Sequence, residues 1–243
     1  MFKRVYRQPC FVSELSLLTV ESLLAGKTVT DEIKKAEKLL SGAYSLRTAA
    51  DNIEYYKDFA GIYDVQFAER MGYSYPDVLS QVYQSHQQPE DVPVADIGCG
   101  TGLVAAALQL PDQQIDGFDI STEMLTIARG KKIYRACYEV DLLDGVEGMS
   151  CDYGAVVSAG TFTFGHLGPL TLISLLDIAK EGALFCIGIN AGHFKEAGFN
   201  QVFDALVAES NITPPVFTQQ EIYSGPDSDH ANDLATVAVY RKR

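Results

Sequence analysis

From residue 94 onward, short apolar runs alternate with longer stretches of helical character. The runs have the length of buried strands, and the longer stretches have the length of helices. The predicted strands are residues 94–97, 114–120, 134–141, 153–159 and 184–190. The predicted helices between them are residues 101–110, 121–130 and 168–179. Because strands that alternate with helices form parallel sheets with right-handed crossovers, this half of the chain is predicted to be α/β.

Two further strands are predicted near the end of the chain, after a helix at about residues 194–209. They are "VFTQQEIYS" (216–224) and "LATVAVYRKR" (234–243). The link between them, "GPDSDHAND", is too short for a crossover helix, so we expect this last pair to be antiparallel. The prediction is therefore a seven-stranded, mostly parallel sheet with an antiparallel last strand and helices on both faces.

The residues before this sheet are predicted to be helical. The helix candidates are residues 11–25, about 30–41, 52–70 and 77–86. The polar, proline-bearing segment "SHQQPEDVP" (85–93) is the best candidate for a boundary. We therefore predict three parts: an N-terminal helical extension of unknown role (1–44), a helical cap (45–92) and the α/β domain (93–243).

Composition narrows the range of partners. The formal net charge of the 243 residues is −13, which disfavours nucleic acid because such binding depends on Lys and Arg. The five cysteines are scattered, without a C-x-x-C pair and without histidines at metal-ligand spacing, so no metal site is expected. No apolar run reaches the roughly 18 residues of a membrane span, and Glu14 and Glu21 interrupt the apolar N-terminal stretch. A cytoplasmic location, with no membrane partner, is the expectation.

The stretch "VADIGCGTGLVAAAL" (94–108) leads from the first predicted strand into a helix through three alternating glycines. Glycines allow ligand atoms to approach the main chain, so this turn is a candidate binding loop. It could contact the phosphates of a dinucleotide, the methionine end of S-adenosylmethionine, or only the neighbouring helix. Leu103 stands where the third glycine of the dinucleotide fingerprint belongs, and no Lys-Ser/Thr pair follows as in a P-loop.

Three of the predicted strands end in an aspartate: Asp96, Asp119 and Asp141. Because the carboxyl ends of parallel strands meet at one rim of the sheet, these carboxylates are expected to converge. A carboxylate can accept two hydrogen bonds from a ribose diol, and Asp119 is well placed for that role. Asp141 could accept from an adenine amino group. A rim of this charge suits a cationic ligand better than a pyrophosphate.

Four segments resemble the successive motifs of class I S-adenosylmethionine-dependent methyltransferases. They are "VADIGCGTGLVAAAL", "DGFDISTEML", "YEVDLLD" and "DYGAVVSAGTFTFGH". More narrowly, "YYKDFAGIYDVQF" with the following "YSYP" (73–76), "MLTIARGKKIYR" and the terminal "VAVYRKR" resemble the Williams–Beuren-region methyltransferase-like proteins and their bacterial relatives. The resemblance covers about residues 45–243. It implies a Rossmann-like class I methyltransferase fold with S-adenosylmethionine as the cofactor.

The resemblance also implies which residues surround that cofactor. They are Asp96, Gly98, Cys99, Gly100, Asp119, Ile120, Met124, Asp141, Leu142, Ser158, Ala159 and Thr161, with Tyr63 of the cap as a further contact. In this assignment the glycine loop lies against the methionine moiety and Asp119 binds the ribose hydroxyls. Asp141 and Leu142 recognise the edge of adenine, and Ile120 and Met124 pack near it. The residues of the fourth strand pass beside the sulfonium.

His166 follows the fourth strand, where the reacting methyl group should point, and is the candidate general base. A histidine bonded only to local backbone is the alternative. The motif "SAGTF" (158–162) departs from the Asn/Asp-Pro-Pro-Tyr of methyltransferases that act on base or glutamine nitrogens. The sequence therefore predicts methyl transfer to a small molecule. Two alternatives stay open, a protein that binds S-adenosylmethionine without transferring methyl and an NAD-dependent oxidoreductase. The acceptor, the atom methylated and the oligomeric state are not predicted.

Overall fold

A computed structural model of the chain describes residues 42, 48, 51, 53–55, 63–64, 72–111, 114–147, 149–224 and 233–243. The strands are β1 (Val94–Ile97), β2 (Ile115–Asp119), β3 (Ala136–Glu139), β4 (Tyr153–Phe162), β5 (Ala179–Asn190), β6 (Val216–Glu221) and β7 (Leu234–Arg241). The helices are α1 (Tyr75–His86), α2 (Leu103–Leu108), α3 (Thr122–Lys131), α4 (Thr171–Ile178), α5 (Ala191–Glu196) and α6 (Phe199–Ala208). The predicted helices 11–25 and 30–41, and most of 52–70, lie outside the described residues.

All seven strands belong to one sheet, in the order β3-β2-β1-β4-β5-β7-β6. The pairs among β1 to β5 are parallel, whereas β7 runs antiparallel to both β5 and β6. The predicted topology, including the antiparallel last pair, is thus confirmed. The strand order reverses between β1 and β4, and in open α/β sheets ligands bind beside such a reversal, at the carboxyl ends of the strands.

Helices cover both faces of the sheet, as predicted. On one face α1, α2 and α3 pack against the sheet through a buried cluster that includes Leu79, Val104 and Leu125. On the other face α4 and α6 pack through a second cluster that includes Leu175 and Phe203. Because both faces are covered, β1 is buried along its whole length, which explains why three of its four residues are apolar. In the part of the chain that the structure describes, no helix has the length and apolarity to cross a membrane.

Several predicted bounds differ from the structure by two or three residues, and two elements differ more. The helix expected over 194–209 is two helices, α5 and α6, separated at Gly198. Gly198 has a φ of +86°, a left-handed conformation that ends a right-handed helix. The strand expected to begin at 184 begins at Ala179, directly after α4, where Ala179 pairs with Tyr153 of β4. The exposed Glu181 and Gly182 interrupt the apolar pattern before residue 184. The predicted division into 1–44, 45–92 and 93–243 stays a prediction.

A buried ion pair fastens the amino-terminal end of β1. Asp91 is 1% exposed, and its two carboxylate oxygens accept hydrogen bonds from the Arg241 guanidinium at 2.8 and 2.9 Å. Arg241 also donates to the carbonyls of His86 and Gly182. These contacts join the segment after α1 to the end of β7. They lie at the end of the sheet where the parallel strands begin, opposite to the carboxyl ends of these strands.

Candidate active site

The glycine loop after β1 is built from three residues in the left-handed region, Gly98, Gly100 and Gly102, with φ values of +65°, +52° and +90°. The N–H of Gly98 donates to the carbonyl of Phe118 at 2.8 Å, which fixes the loop on β2. The glycines have different surroundings. A Cβ at Gly102 would lie 2.8 Å from the Tyr134 ring, whereas a Cβ at Gly100 would meet no atom within 4 Å. Gly102 therefore serves packing, and Gly100 faces open space in which a ligand can approach the backbone.

Asp119, at the end of β2, holds this loop through its carboxylate. One oxygen accepts the N–H of Gly100 at 2.8 Å and the other accepts the N–H of Ser121 at 2.9 Å. Burial raises the pKa of Asp119, while the hydrogen bonds from Ser121, Gly100 and Ile120 lower it. A carboxylate oxygen has more than one lone pair, so Asp119 can still accept hydroxyl groups while it holds the loop.

Asp96, at the same rim, is fully buried. Its Oδ2 accepts a hydrogen bond from the Tyr134 hydroxyl at 2.6 Å, and its Oδ1 has no partner among the described residues. Burial raises the pKa of Asp96 to about 7; the charge of Asp119 adds to this effect, and the Tyr134 hydrogen bond opposes it. Cys99 is buried beside this pair, and burial raises the pKa of its thiol well above the usual value. Cys99 is thus a neutral filler, whereas Asp96 presents an unused acceptor.

The residues predicted from β4 do come together with the glycine loop. The Ser158 hydroxyl donates to the carbonyl of Ile97 at 2.8 Å, and the Thr161 hydroxyl lies 3.2 Å from the carbonyl of Gly98. A Cβ at Gly98 would collide with the Thr161 side chain, so this glycine allows the strand to approach the loop closely. Ala159, which lies between Ser158 and Thr161 in the sequence, is half-buried. It packs against the buried cluster on the face of the sheet that α1, α2 and α3 cover. The structure therefore places β4 directly against the loop that follows β1.

The residues predicted to surround adenine occupy more varied positions. Asp141 accepts the N–H of Leu143 at 2.9 Å and shapes the turn after β3. Leu142 and Met124 are buried, at 6% and 3% exposure, and Ile120 is half-buried directly after β2. Asp141 thus has a local structural role, and its contact with adenine stays a prediction.

His166 lies in the loop after β4, and its geometry fixes one tautomer. Its Nδ1 is 3.1 Å from the carbonyl oxygen of Phe164. Because a carbonyl only accepts, Nδ1 must carry the proton, and Nε2 is then the basic atom. Burial lowers the pKa of His166, the hydrogen bond to Phe164 opposes this, and the charge of nearby His193 lowers the pKa further. The lowered pKa favours the neutral form of His166, the form that a general base requires.

His193, at the start of α5, is the neighbour of His166 on the side of β5. Its Nε2 lies 3.1 Å from the carbonyl of Leu167, and its ring packs edge-on against Phe164 and Phe199. Burial lowers the pKa of His193, with opposing effects from Leu167 and Glu196. This histidine ties the loop after β4 to α5 and thereby supports the segment that carries His166.

Comparison with known families agrees with this geometry. Residues 94–170, from β1 to the segment before α4, match the family described as a methyltransferase domain. That range contains the glycine loop, the acidic strand ends and the loop after β4. Residues 94–170 are therefore similar to a methyltransferase domain. That the glycine loop and Asp119 bind S-adenosylmethionine stays a prediction of the sequence motifs.

Three similar proteins place this methyltransferase domain among known ones. Human methyltransferase-like protein 27 is 30% identical over 154 residues, or 60% of this chain and 60% of that protein. A malonyl-[acyl-carrier protein] O-methyltransferase of Bacillus cytotoxicus is 23% identical over 60% of this chain and 52% of its own length. The alignments thus span little more than half of these relatives. The plantazolicin methyltransferase BpumL, solved in complex with SAH, shares the fold with a TM-score of 0.54 at 15% identity, over 89% of this chain and all of BpumL.

The residues of the methyltransferase domain fit S-adenosylmethionine. The open space at Gly100 leaves room for a ligand against the backbone, and Oδ1 of Asp96 is a buried acceptor with no partner among the described residues. Together with Asp119 these carboxylates make an acidic rim, which suits the positive charges of the ammonium and sulfonium groups. The narrower resemblance is consistent with the human methyltransferase-like relative.

Asp64, in the predicted cap, contacts the glycine loop, which the sequence did not predict. Its Oδ1 accepts a hydrogen bond from the Thr101 hydroxyl, and its Oδ2 lies 2.6 Å from Nζ of Lys131. Tyr63, the residue before it, is half-buried and packs against the buried cluster under α1, α2 and α3. Its predicted contact with the cofactor stays a prediction. An isolated aspartate in a helical stretch gives no sequence signal for a contact 37 residues away.

Tyr73 and Tyr75, which lie before and in α1, were given no role at the site by the sequence, although the segment "YSYP" (73–76) is part of the narrower resemblance. A Cβ at Gly160 would lie 2.8 Å from the Tyr73 hydroxyl, and a Cβ at Gly188 would collide with the Tyr75 hydroxyl. The Tyr75 side chain is 2% exposed, and its hydroxyl has no partner among the described residues. The ring of Tyr73 also lies 5.6 Å from that of Tyr223, measured between centroids. Phenol groups therefore lie over β4 and β5 close to their carboxyl ends.

Proposed function

We propose that the chain transfers a methyl group from S-adenosylmethionine to a small acceptor that is uncharged near the reacting atom. One observation carries this proposal: Gly100 faces open space while Asp119 holds its N–H, beside the reversal of strand order. When bound, S-adenosylmethionine supplies a methyl group activated by a positively charged sulfur. The protein's own part is to hold, align and exclude water.

Each part of the cofactor has a proposed partner in this chain. The backbone of Gly98 and Gly100 holds the methionine moiety, and Oδ1 of Asp96 accepts from its ammonium group. Asp119 accepts from the ribose hydroxyls, and Asp141 from the adenine amino group. The basis for these assignments is that the loop, β2 and β4 meet at one rim, as the hydrogen bonds of Asp119 and Thr161 indicate.

His166 is the proposed base. Its Nε2 accepts the proton of an acceptor hydroxyl, thiol or amine while the nucleophile attacks, and the Phe164 carbonyl keeps the imidazole in the required tautomer. The chain carries no charged side chain other than histidine in residues 158–168 or 188–193, which surround the carboxyl ends of β4 and β5. Phenol, hydroxyl, amide and imidazole groups can recognise a neutral polar molecule there. This composition and the net charge of −13 support a small neutral acceptor over nucleic acid.

Calorimetric titration tests cofactor binding first. We expect heat with S-adenosylmethionine and S-adenosylhomocysteine and none with NAD. Absence of heat with both sulfur compounds would contradict the proposal, and heat with NAD alone would favour an oxidoreductase.

Methyl transfer is tested with labelled S-adenosylmethionine and a collection of neutral hydroxyl, thiol and amine compounds. For an acceptor that is methylated, His166→Ala should keep cofactor affinity but lose about 10²-fold or more in kcat. The exposed His86 provides the matched control, His86→Ala, with unchanged kcat. Cofactor binding without transfer to any acceptor would point to a binding protein.

A further inference from the structure

Tyr134 packs against the glycine loop and hydrogen-bonds to Asp96. It lies just before β3, is 6% exposed, and donates its hydroxyl hydrogen to Oδ2 of Asp96 at 2.6 Å. A Cβ added at Gly102 or Gly117 would lie only 2.8 or 3.0 Å from its ring, so both glycines allow the ring to approach closely. One side chain thus contacts the loop, the middle of β2 and the acid at the end of β1.

We propose that Tyr134 is a positioning residue, which orients the Asp96 carboxylate so that its second oxygen receives the ammonium group of S-adenosylmethionine. The inference rests on the proposed function. Its basis is an asymmetry at Asp96: the phenol occupies Oδ2, while Oδ1 is buried and has no partner among the described residues. A buried carboxylate oxygen without a donor is costly, so its retention at the base of a binding loop points to a donor on the ligand.

The electrostatics around Asp96 give the Tyr134 hydroxyl a second effect. The titratable groups that the structure places around Asp96 are Asp119, Cys99, Cys137 and Tyr134. Burial and Asp119 both raise the pKa of Asp96, and the hydrogen bond from Tyr134 lowers it. Burial raises the pKa of both thiols, so neither adds a charge near neutral pH. Tyr134 is therefore the group that favours the ionised form of Asp96, the form that attracts an ammonium group.

The test compares Tyr134→Phe with Tyr153→Phe. Both changes remove a buried hydroxyl that donates to a buried aspartate and keep the ring, because Tyr153 donates to Oδ2 of Asp116 at 2.7 Å. Asp116 lies in β2 away from the loop, so Tyr153→Phe is a control for a purely structural loss. The measurement is calorimetric titration with S-adenosylhomocysteine, which retains the ammonium group, at several pH values between 6 and 9.

In the wild type, affinity should rise as the pH increases through about 7, because Asp96 ionises there. Tyr134→Phe should bind about tenfold more weakly at pH 7, with this rise displaced to higher pH. Tyr153→Phe should keep both the affinity and the pH profile. Wild-type affinity and pH profile in Tyr134→Phe would overturn the inference. A wild-type protein that binds at no pH would instead overturn the proposed function.

Thermal unfolding shows whether Tyr134→Phe folds. If it does not, Asp96→Asn replaces it, because the asparagine oxygen can still accept from Tyr134. Asp96→Asn should bind S-adenosylhomocysteine at least about tenfold more weakly than the wild type at pH 8, with affinity that no longer rises between pH 6 and 8. Wild-type binding by Asp96→Asn would overturn the inference.

Discussion

The Asp64 carboxylate bridges the Thr101 hydroxyl, at 2.5 Å, and the Lys131 ammonium, at 2.6 Å. Thr101 lies between two glycines of the binding loop, and Lys131 is the last residue of α3, which begins just after Asp119. A residue of the predicted cap thus joins the two elements that form the proposed cofactor site. The conformation of the glycine loop should consequently be coupled to the position of Asp64.

Removal of this bridge should weaken cofactor binding. For Asp64→Ala we expect affinity for S-adenosylhomocysteine to fall about threefold to tenfold, since the loop loses a hydrogen bond to a charged group. The ion pair with Lys131 is partly exposed and adds little. Calorimetric titration measures the change, and Asp204→Ala, an exposed aspartate on α6, is the control. Equal affinities in the two variants would contradict the coupling.

Asp119 should matter more, because it has two tasks. Asp119→Ala removes the acceptor for the Gly100 and Ser121 N–H groups and also the proposed acceptor for the ribose. We expect affinity for S-adenosylhomocysteine to fall by about 100-fold or more, with a lower melting temperature. The exposed Asp144 of the turn after β3 provides the control variant, Asp144→Ala, with wild-type affinity. A loss of less than about fivefold in Asp119→Ala would argue against ribose binding by this residue.

Asp96 should lower the stability of the ligand-free protein at high pH. Its pKa is raised to about 7 by burial, so between about pH 4 and pH 7 the folded protein holds a proton that the unfolded chain has released. The contribution of Asp96 to stability therefore falls as the pH rises through this window.

Asp96→Asn removes this titration. We expect the variant to be more stable than the wild type at pH 8, by on the order of a few kcal/mol, with a smaller difference at pH 5. Denaturant unfolding of both proteins at the two pH values measures it, and effects of other groups cancel in the comparison. A variant that is less stable at pH 8 than at pH 5, relative to the wild type, would contradict the raised pKa.

The buried histidines should titrate low. Burial lowers the pKa of both His166 and His193, so their imidazole signals in NMR titrations should change below the usual value of about 6.5. The variants His166→Ala and His193→Ala assign the signals. A His166 signal that changes above pH 7 would contradict a neutral base at physiological pH.

The fold was predictable because its signals are local. Apolar runs give the strands, and the nine-residue link at 225–233 is enough to make the last pair antiparallel. The loop glycines and the acidic strand ends could be found for the same reason. Asp64, Tyr134 and Tyr75 could not, because their roles depend on contacts between residues far apart in the sequence, such as Tyr134 with Asp96. The break at Gly198 was present in the sequence as a glycine, but a glycine within a helical pattern does not by itself show a left-handed φ.

Variants of the ion pair between Asp91 and Arg241 should lower stability without changing cofactor binding. Asp91 is buried and bonded at both oxygens, so Asp91→Asn leaves the Arg241 charge without its partner. We expect the free energy of unfolding to fall by about 3 kcal/mol, within the range for a broken buried pair. Affinity for S-adenosylhomocysteine should not change, because the pair lies at the end of the sheet opposite to the glycine loop.

Arg241→Lys keeps the charge but not the two parallel hydrogen bonds, and it should have an intermediate stability. Urea unfolding measures the stability of each variant, and calorimetric titration of the same samples measures the affinity. Weaker binding of S-adenosylhomocysteine by folded Asp91→Asn would contradict the separation and show that the two ends of the strands are coupled.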